Sequence, residues 1–175
     1  MRILCFGDSN TYGYDPRGFF GGRYDNCWTD LLTGHTVINM GQNGREIPRN
    51  AFVPPEHDIF LVMLGTNDLL QGASTGEAAA RMERFLTGMR PLCRKILLVS
   101  PPPMQRGTWV PTDALAAESR RLAAEYQALA AKLGIRSIDT TGWNIALCFD
   151  GVHFTENGHH SFAEKMRKAL DSPPT

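Results

Sequence analysis

"DIFLVMLGTND", residues 58–68, decides the fold. The run from Ile59 to Leu64 is apolar without a break and ends abruptly at Gly65, Thr66, Asn67 and Asp68. A strand wetted on one face alternates apolar and polar residues, so an unbroken run suits a strand covered on both faces. "KILLVS" at 95–100 has the same character. Working outward, "RILCF" at 2–6, "TVINM" at 36–40 and "IRSID" at 135–139 give three more short candidates, each followed by small or polar residues.

Helical segments fill the intervals. Leu115, Leu122, Tyr126, Leu129 and Leu133 recur near a 3.6-residue period and predict a helix over 112–133, with Thr112 as N-cap and Gly134 as the stop. Met82, Phe85, Leu86 and Met89 give the stripe of a second helix over 76–92. A third begins near Thr155 and carries Phe162, Ala163, Met166 and Leu170. Short buried strands alternating with helices require crossover connections, hence parallel pairing. The expected fold is α/β, a three-layer sandwich around a five-stranded parallel, flavodoxin-like sheet. At 175 residues with 42% hydrophobic content there is material for one core, placed in a single domain over 1–171 with a frayed tail at 172–175.

Eighteen basic residues balance eighteen acidic ones, so no global field draws the chain to nucleic acid or an anionic membrane. No stretch approaches the roughly 20 apolar residues of a membrane span. Cys5, Cys27, Cys93 and Cys148 form no C-x-x-C pair, and the chain begins at once with a strand, which together point to a reduced, cytoplasmic protein.

Parallel strands all point one way, so their exits gather on one rim, where open α/β sheets build their sites. Strand one exits into "GDSN" with Asp8 and Ser9, strand two into "NMGQNG" with Gly41, and strand three into "GTND" with Asn67 and Asp68; the last is followed by "DGVHF" with Asp150 and His153. Each piece alone reads equally well as turn or capping chemistry. Together they fill complementary roles. A serine needs a base, and the base needs a partner that fixes its tautomer; His153 and Asp150, ends of a four-residue turn within about 7 Å, supply both. Developing negative charge on an acyl oxygen needs donors, available as the Ser9 N–H, the Gly41 N–H and the Asn67 carboxamide. Asp8, Asp68 and Trp109, the last in the loop "SPPPMQRGTWVP", are expected substrate contacts.

His159 and His160 invite a metal reading with His153, Asp150 and Asp8, but neighbours on a helix do not face one way, and no metal site is expected. His35 and His57 read as surface loop residues. Trp28 and Trp143 could be core or pocket wall.

The four blocks together resemble the SGNH hydrolases, the GDSL lipase/esterase superfamily, over residues 4 to about 160. The resemblance implies Ser9 as nucleophile, His153 as base, Asp150 as its orienting acid, and an oxyanion hole of Ser9, Gly41 and Asn67. It implies a serine esterase acting through an acyl-enzyme, with no metal or organic cofactor, a small-molecule ester as partner and, in some members, homo-oligomers; one compact domain with no obvious lid insertion points to an open, shallow cleft and a short, acetyl-like acyl group. The first block departs from the family name: Asn10 stands where the name has Leu. Thr11 occupies the second glycine of the G-x-S-x-G elbow of the α/β-hydrolases, which argues against that larger architecture. A thioesterase or acyltransferase would share every residue named. A non-catalytic flavodoxin-like binding module could use the same rim but has no use for a paired Ser, His and Asp.

Overall fold

The computed structural model describes residues 1–18 and 20–172. Along the chain it forms β1 (Arg2–Gly7), α1 (Ser9–Tyr12), β2 (Tyr14–Asp15), β3 (Gly22–Arg23), β4 (Thr36–Gly41), β5 (Ile59–Met63), α2 (Thr66–Leu70), α3 (Thr75–Met89), β6 (Ile96–Val99), α4 (Asp113–Leu133), β7 (Arg136–Ile138), a 3₁₀ turn (Thr141–Trp143) and α5 (Glu156–Asp171). Strands β4-β1-β5-β6-β7 pair in that order, all parallel, while β2 and β3 make a separate two-stranded antiparallel ribbon.

Alternation along the strands explains the three layers. Leu4, Phe6, Phe60, Val62 and Leu64 join the core cluster that holds Met82 and Phe85 of α3 and Leu122, Tyr126 and Leu129 of α4. Ile3, Cys5, Leu61 and Met63 join the opposite cluster, with Trp28, Leu32 and Phe162, Met166 and Leu170 of α5. Successive side chains leave a strand on opposite faces, so a run with both faces covered must be apolar throughout.

The helix ends follow local chemistry. Thr112 caps α4 by accepting from the Leu115 N–H, and Gly134 closes it in the left-handed conformation. Thr155 likewise caps α5 through the Gly158 N–H. Ser74 and Glu77 form a capping box that starts α3 at Thr75, and the helix ends at Met89 rather than Leu92. Of the expected tail, 173–175 lie outside the described residues. Ser172 is tied down, its hydroxyl donating to the Lys168 carbonyl at 2.8 Å and its carbonyl accepting from Arg136 at 3.1 Å.

Register sets the site. Gly7 of β1 lies opposite both Gly41 of β4 and Met63 of β5, so three strand ends finish level. The chain runs from β1 to β4 on one side and then crosses to β5 on the other, the topological switch point where doubly wound sheets open a crevice.

Candidate active site

Asp8 ends β1 and starts α1. Its carboxylate accepts from the Asn10 N–H at 3.0 Å, an N-cap that sets Ser9 as the first helical residue. The first turn of a helix has no internal acceptor for its amides, and the Ser9 N–H has no partner among the described residues. The Ser9 side chain reaches the far end of the sequence: its Oγ lies 2.9 Å from His153 Nε2, and His153 Nδ1 lies 2.7 Å from Asp150 Oδ2. The other Asp150 oxygen accepts from the backbone N–H groups of Val152 at 2.9 Å and His153 at 3.0 Å. Burial pushes the Asp150 carboxyl up, but its bonds from the His153 ring and these two amides outweigh that and hold it below the ordinary carboxylate value. All three side chains are buried.

The loop bearing Asp150 and His153 is braced from both sides. Leu147 and Phe154 form an antiparallel bridge, and the Cys148 N–H donates to the His153 carbonyl at 2.7 Å. Against its other flank, the Gln105 N–H donates to Gly151 and the Trp109 N–H to Asp150. The two chains touch backbone to backbone: a Cβ on Gly107 would fall 2.3 Å from the Asp150 carbonyl carbon, and one on Gly151 2.1 Å from the Gln105 oxygen. This contact carries Trp109 to the His153 ring, edge-on with centroids 5.0 Å apart, while Tyr14 packs at 4.8 Å. Trp109 is half exposed.

On the third side, Asn67 is the second residue of α2. Its Nδ2 donates to the Arg45 carbonyl at 3.1 Å, which leaves one carboxamide N–H over. Gly41 is placed differently from the expectation. Its N–H already donates to Asn39 Oδ1 at 2.8 Å, and a Cβ there would lie 2.1 Å from the Tyr12 nitrogen. Glycine at 41 is thus required by close packing of β4 on α1. Gly44, in the following turn closed by the Arg45 N–H on the Gln42 carbonyl, is exposed and its N–H has no partner among the described residues.

Two of the three expected substrate contacts are corrected. Asp68 is wholly buried, one oxygen accepting from the Ile47 N–H at 3.0 Å and the other from Arg81 at 2.8 Å, so it braces the 42–47 segment instead of facing solvent. Asp8 is 1% exposed and spent on the cap; burial pushes its carboxyl up to about 6 against the pull of the Asn10 amide, His153, Thr66 and Arg45.

The other histidines also find places. His159 is buried against Tyr24 and Phe154, accepting from the Trp28 N–H at 3.3 Å, while His160 is exposed. His35 and His57 are half-buried rather than free on the surface, His57 paired with the Pro54 carbonyl at 2.8 Å. Trp28 is core, and Trp143 packs edge-on against Phe162. Among the described residues, no three His, Cys, Asp or Glu side chains are grouped to hold a metal ion, and no helix is long and apolar enough to cross a membrane.

Sequence reading missed Tyr14 and Asn39. Asn39 donates to the Thr11 carbonyl and to Thr29 Oγ1, both at 2.8 Å, while accepting from Gly41. A carboxamide set among the apolar residues of "VINM" was the available signal.

The sequence matches the GDSL-like lipase/acylhydrolase family over residues 5–160. The chain belongs to that family. Solved structures agree with this GDSL-like fold along nearly the whole chain. The aryl esterase of M. smegmatis is 25% identical with a TM-score of 0.82, and a protein assigned as an arylesterase from Agrobacterium tumefaciens str. C58 is 27% identical with 0.79; each pairing covers 97% of both chains. A carbohydrate acetylesterase family member from Sinorhizobium meliloti is 24% identical, with a TM-score of 0.80, covering 97% of this chain and 96% of its own. No curated protein matched by sequence. This GDSL-like chain is an ester-cleaving hydrolase with a five-stranded parallel SGNH sheet.

Proposed function

We propose that the protein is a serine esterase that cleaves short acyl esters through an acyl-enzyme on Ser9. The observation that carries this reading is the unbroken relay from Ser9 Oγ through His153 to Asp150, at 2.9 and 2.7 Å, in a buried setting. Asp150 accepts at Nδ1, which selects the imidazole tautomer whose Nε2 is free to take the hydroxyl proton. Ser9 Oγ then attacks the ester carbonyl carbon, its proton passing to His153. The tetrahedral intermediate collapses as His153 returns that proton to the departing alkoxide. Water repeats the sequence in reverse roles, releasing the acid and restoring Ser9.

The oxyanion is met by the Ser9 N–H, the spare N–H of Asn67 and the Gly44 N–H. Gly44 replaces Gly41 in this role because its amide has no partner among the described residues, whereas that of Gly41 is taken by Asn39, and its turn abuts Asn67 through Arg45. Only 5% of Ser9 is exposed, with Tyr14 and Trp109 packed on His153, and such a narrow approach favours small acyl groups such as acetyl. The similar aryl esterase supports an aryl ester as a working substrate. The four free thiols support a reducing, cytoplasmic setting.

The test is hydrolysis of p-nitrophenyl esters of increasing acyl length by the wild type and Ser9→Ala. The expected result is acetate turnover that declines with chain length and is lost in the variant. Equal rates in the two proteins would eliminate the serine mechanism.

A further inference from the structure

Position 10, where the first motif departs from the Leu of the family name, carries a side chain that reaches the His153 loop at two points. Asn10 Nδ2 donates to the Val152 carbonyl at 3.0 Å, and the Phe154 N–H donates to Asn10 Oδ1 at 2.9 Å. One carboxamide therefore takes the acceptor just before His153 and the donor just after it. The backbone of His153 itself is engaged elsewhere, its N–H by Asp150 Oδ1 and its carbonyl by the Cys148 N–H.

The other end of the link is equally fixed. The Asn10 N–H donates to Asp8 Oδ1 at 3.0 Å and its carbonyl accepts from Trp28 Nε1 at 2.9 Å, a ring with no solvent exposure. Asn10 is peptide-bonded to Ser9, so the two bonds form a clamp one residue from the serine and one residue on either side of the histidine. We propose that Asn10 is a positioning residue that holds the His153 ring at hydrogen-bonding distance from Ser9 Oγ. A side chain serving stability alone could satisfy these buried groups from any direction. This one joins α1 to the His153 loop, and the separation of the two sets the Oγ to Nε2 distance. Leucine has similar size and no polar atoms; in its place the Val152 carbonyl and Phe154 amide would be buried without partners, and the loop would shift to recover them.

The proposal rests on the reading of Ser9 and His153 as nucleophile and base, and the experiment separates the two. Asn10→Leu, Asn10→Asp and Ser9→Ala are assayed on p-nitrophenyl acetate from pH 5.5 to 9, with kcat and KM resolved and the folded fraction followed by circular dichroism. For folded Asn10→Leu, kcat falls about ten- to hundredfold, the cost of a displacement on the order of 1 Å at a catalytic group, with KM nearly unchanged. Asn10→Asp keeps the acceptor for Phe154 but, ionised above the ordinary aspartate value of about 4, has no proton to donate to Val152, so its kcat lies below wild type throughout this range; this variant decides the matter should Asn10→Leu not fold. Wild-type kcat in the folded variants overturns the clamp. So does a relative kcat of Asn10→Asp that rises with pH, the mark of an added negative charge acting on His153. If Ser9→Ala is inactive while both Asn10 variants are unimpaired, the clamp alone is wrong. If Ser9→Ala is as active as wild type, the catalytic reading falls and takes the clamp with it.

Discussion

Ser9 and His153 are 144 positions apart in the chain, and their side chains meet at 2.9 Å. Neither residue is brought there by its own neighbourhood alone. Ser9 is placed by the end of β1 and the Asp8 cap, and His153 by the loop that leads from β7 to the Thr155 cap of α5. The two segments share a rim because β1 and β7 run parallel in one sheet.

Asp150→Asn should remove the partner that selects the His153 tautomer while nearly preserving shape. The carboxamide introduced there can donate toward Nδ1, turning Nε2 into the protonated nitrogen. We expect kcat to fall by about 10⁴-fold with little change in Tm, by the logic of serine triads generally. Steady-state kinetics on p-nitrophenyl acetate check this, and a loss under tenfold would remove Asp150 from the relay.

The two candidate oxyanion positions make opposite predictions. Asn67→Ala should cost about 10²- to 10³-fold in kcat, the effect of losing one oxyanion donor. Gly41→Ala should instead act on the fold, because its Cβ would meet the Tyr12 backbone at 2.1 Å; a loss of about 1–3 kcal/mol is expected by denaturant melting. A Gly41→Ala protein as stable as wild type would contradict this packing role.

Asp68→Leu tests the reassignment of Asp68 from substrate contact to internal brace. It strips the Ile47 N–H and Arg81 of an acceptor in a buried place, which costs about 1–3 kcal/mol. Tm should drop while KM for the acetate ester stays within about twofold, the size of a negligible binding term. A large rise in KM at unchanged Tm contradicts the brace.

His159 gives a pH signature of stability. Desolvation, with Arg23 nearby, lowers its pKa from 6.5 to about 4, and its Nε2, which carries the proton when Nδ1 accepts from Trp28, has no partner among the described residues. The unfolded chain therefore binds a proton below pH 6.5 that the folded chain refuses until about 4, so this residue makes stability fall as pH drops through that window, by about 3 kcal/mol in all. Asp8, held up near 6, acts in the opposite sense over much of the same range. Subtracting the unfolding free energies of His159→Phe from those of wild type at each pH isolates the histidine. A difference that does not vary between pH 4 and 6.5 refutes the assignment.

Much of this was legible in the sequence, and the reasons are local. Strands β5 and β6 announce themselves because both faces are buried, and α4 and α5 because Thr112, Gly134 and Thr155 carry their own stop and start chemistry. Helices α1 and α2 have four and five residues, too few to show a period, and the β2–β3 ribbon has two residues on each side. Asp150 and His153 could be paired from spacing alone. Which of Gly41 and Gly44 has its amide engaged could not be read, since both lie in "NMGQNG" and only the Asn39 side chain, bonded to the Gly41 N–H, separates them. The burial of Asp68 is illegible for the same kind of reason: it depends on Arg81, thirteen residues on, and on Ile47 across the rim.

The nucleophile can be identified in one step by treating the native protein with a fluorophosphonate, digesting it and locating the adduct by mass spectrometry. A single phosphonyl group on the peptide containing Ser9, absent from Ser9→Ala and formed slowly in His153→Ala, is the predicted result. Stoichiometric labelling of another residue, or of Ser9→Ala at the wild-type rate, would contradict it.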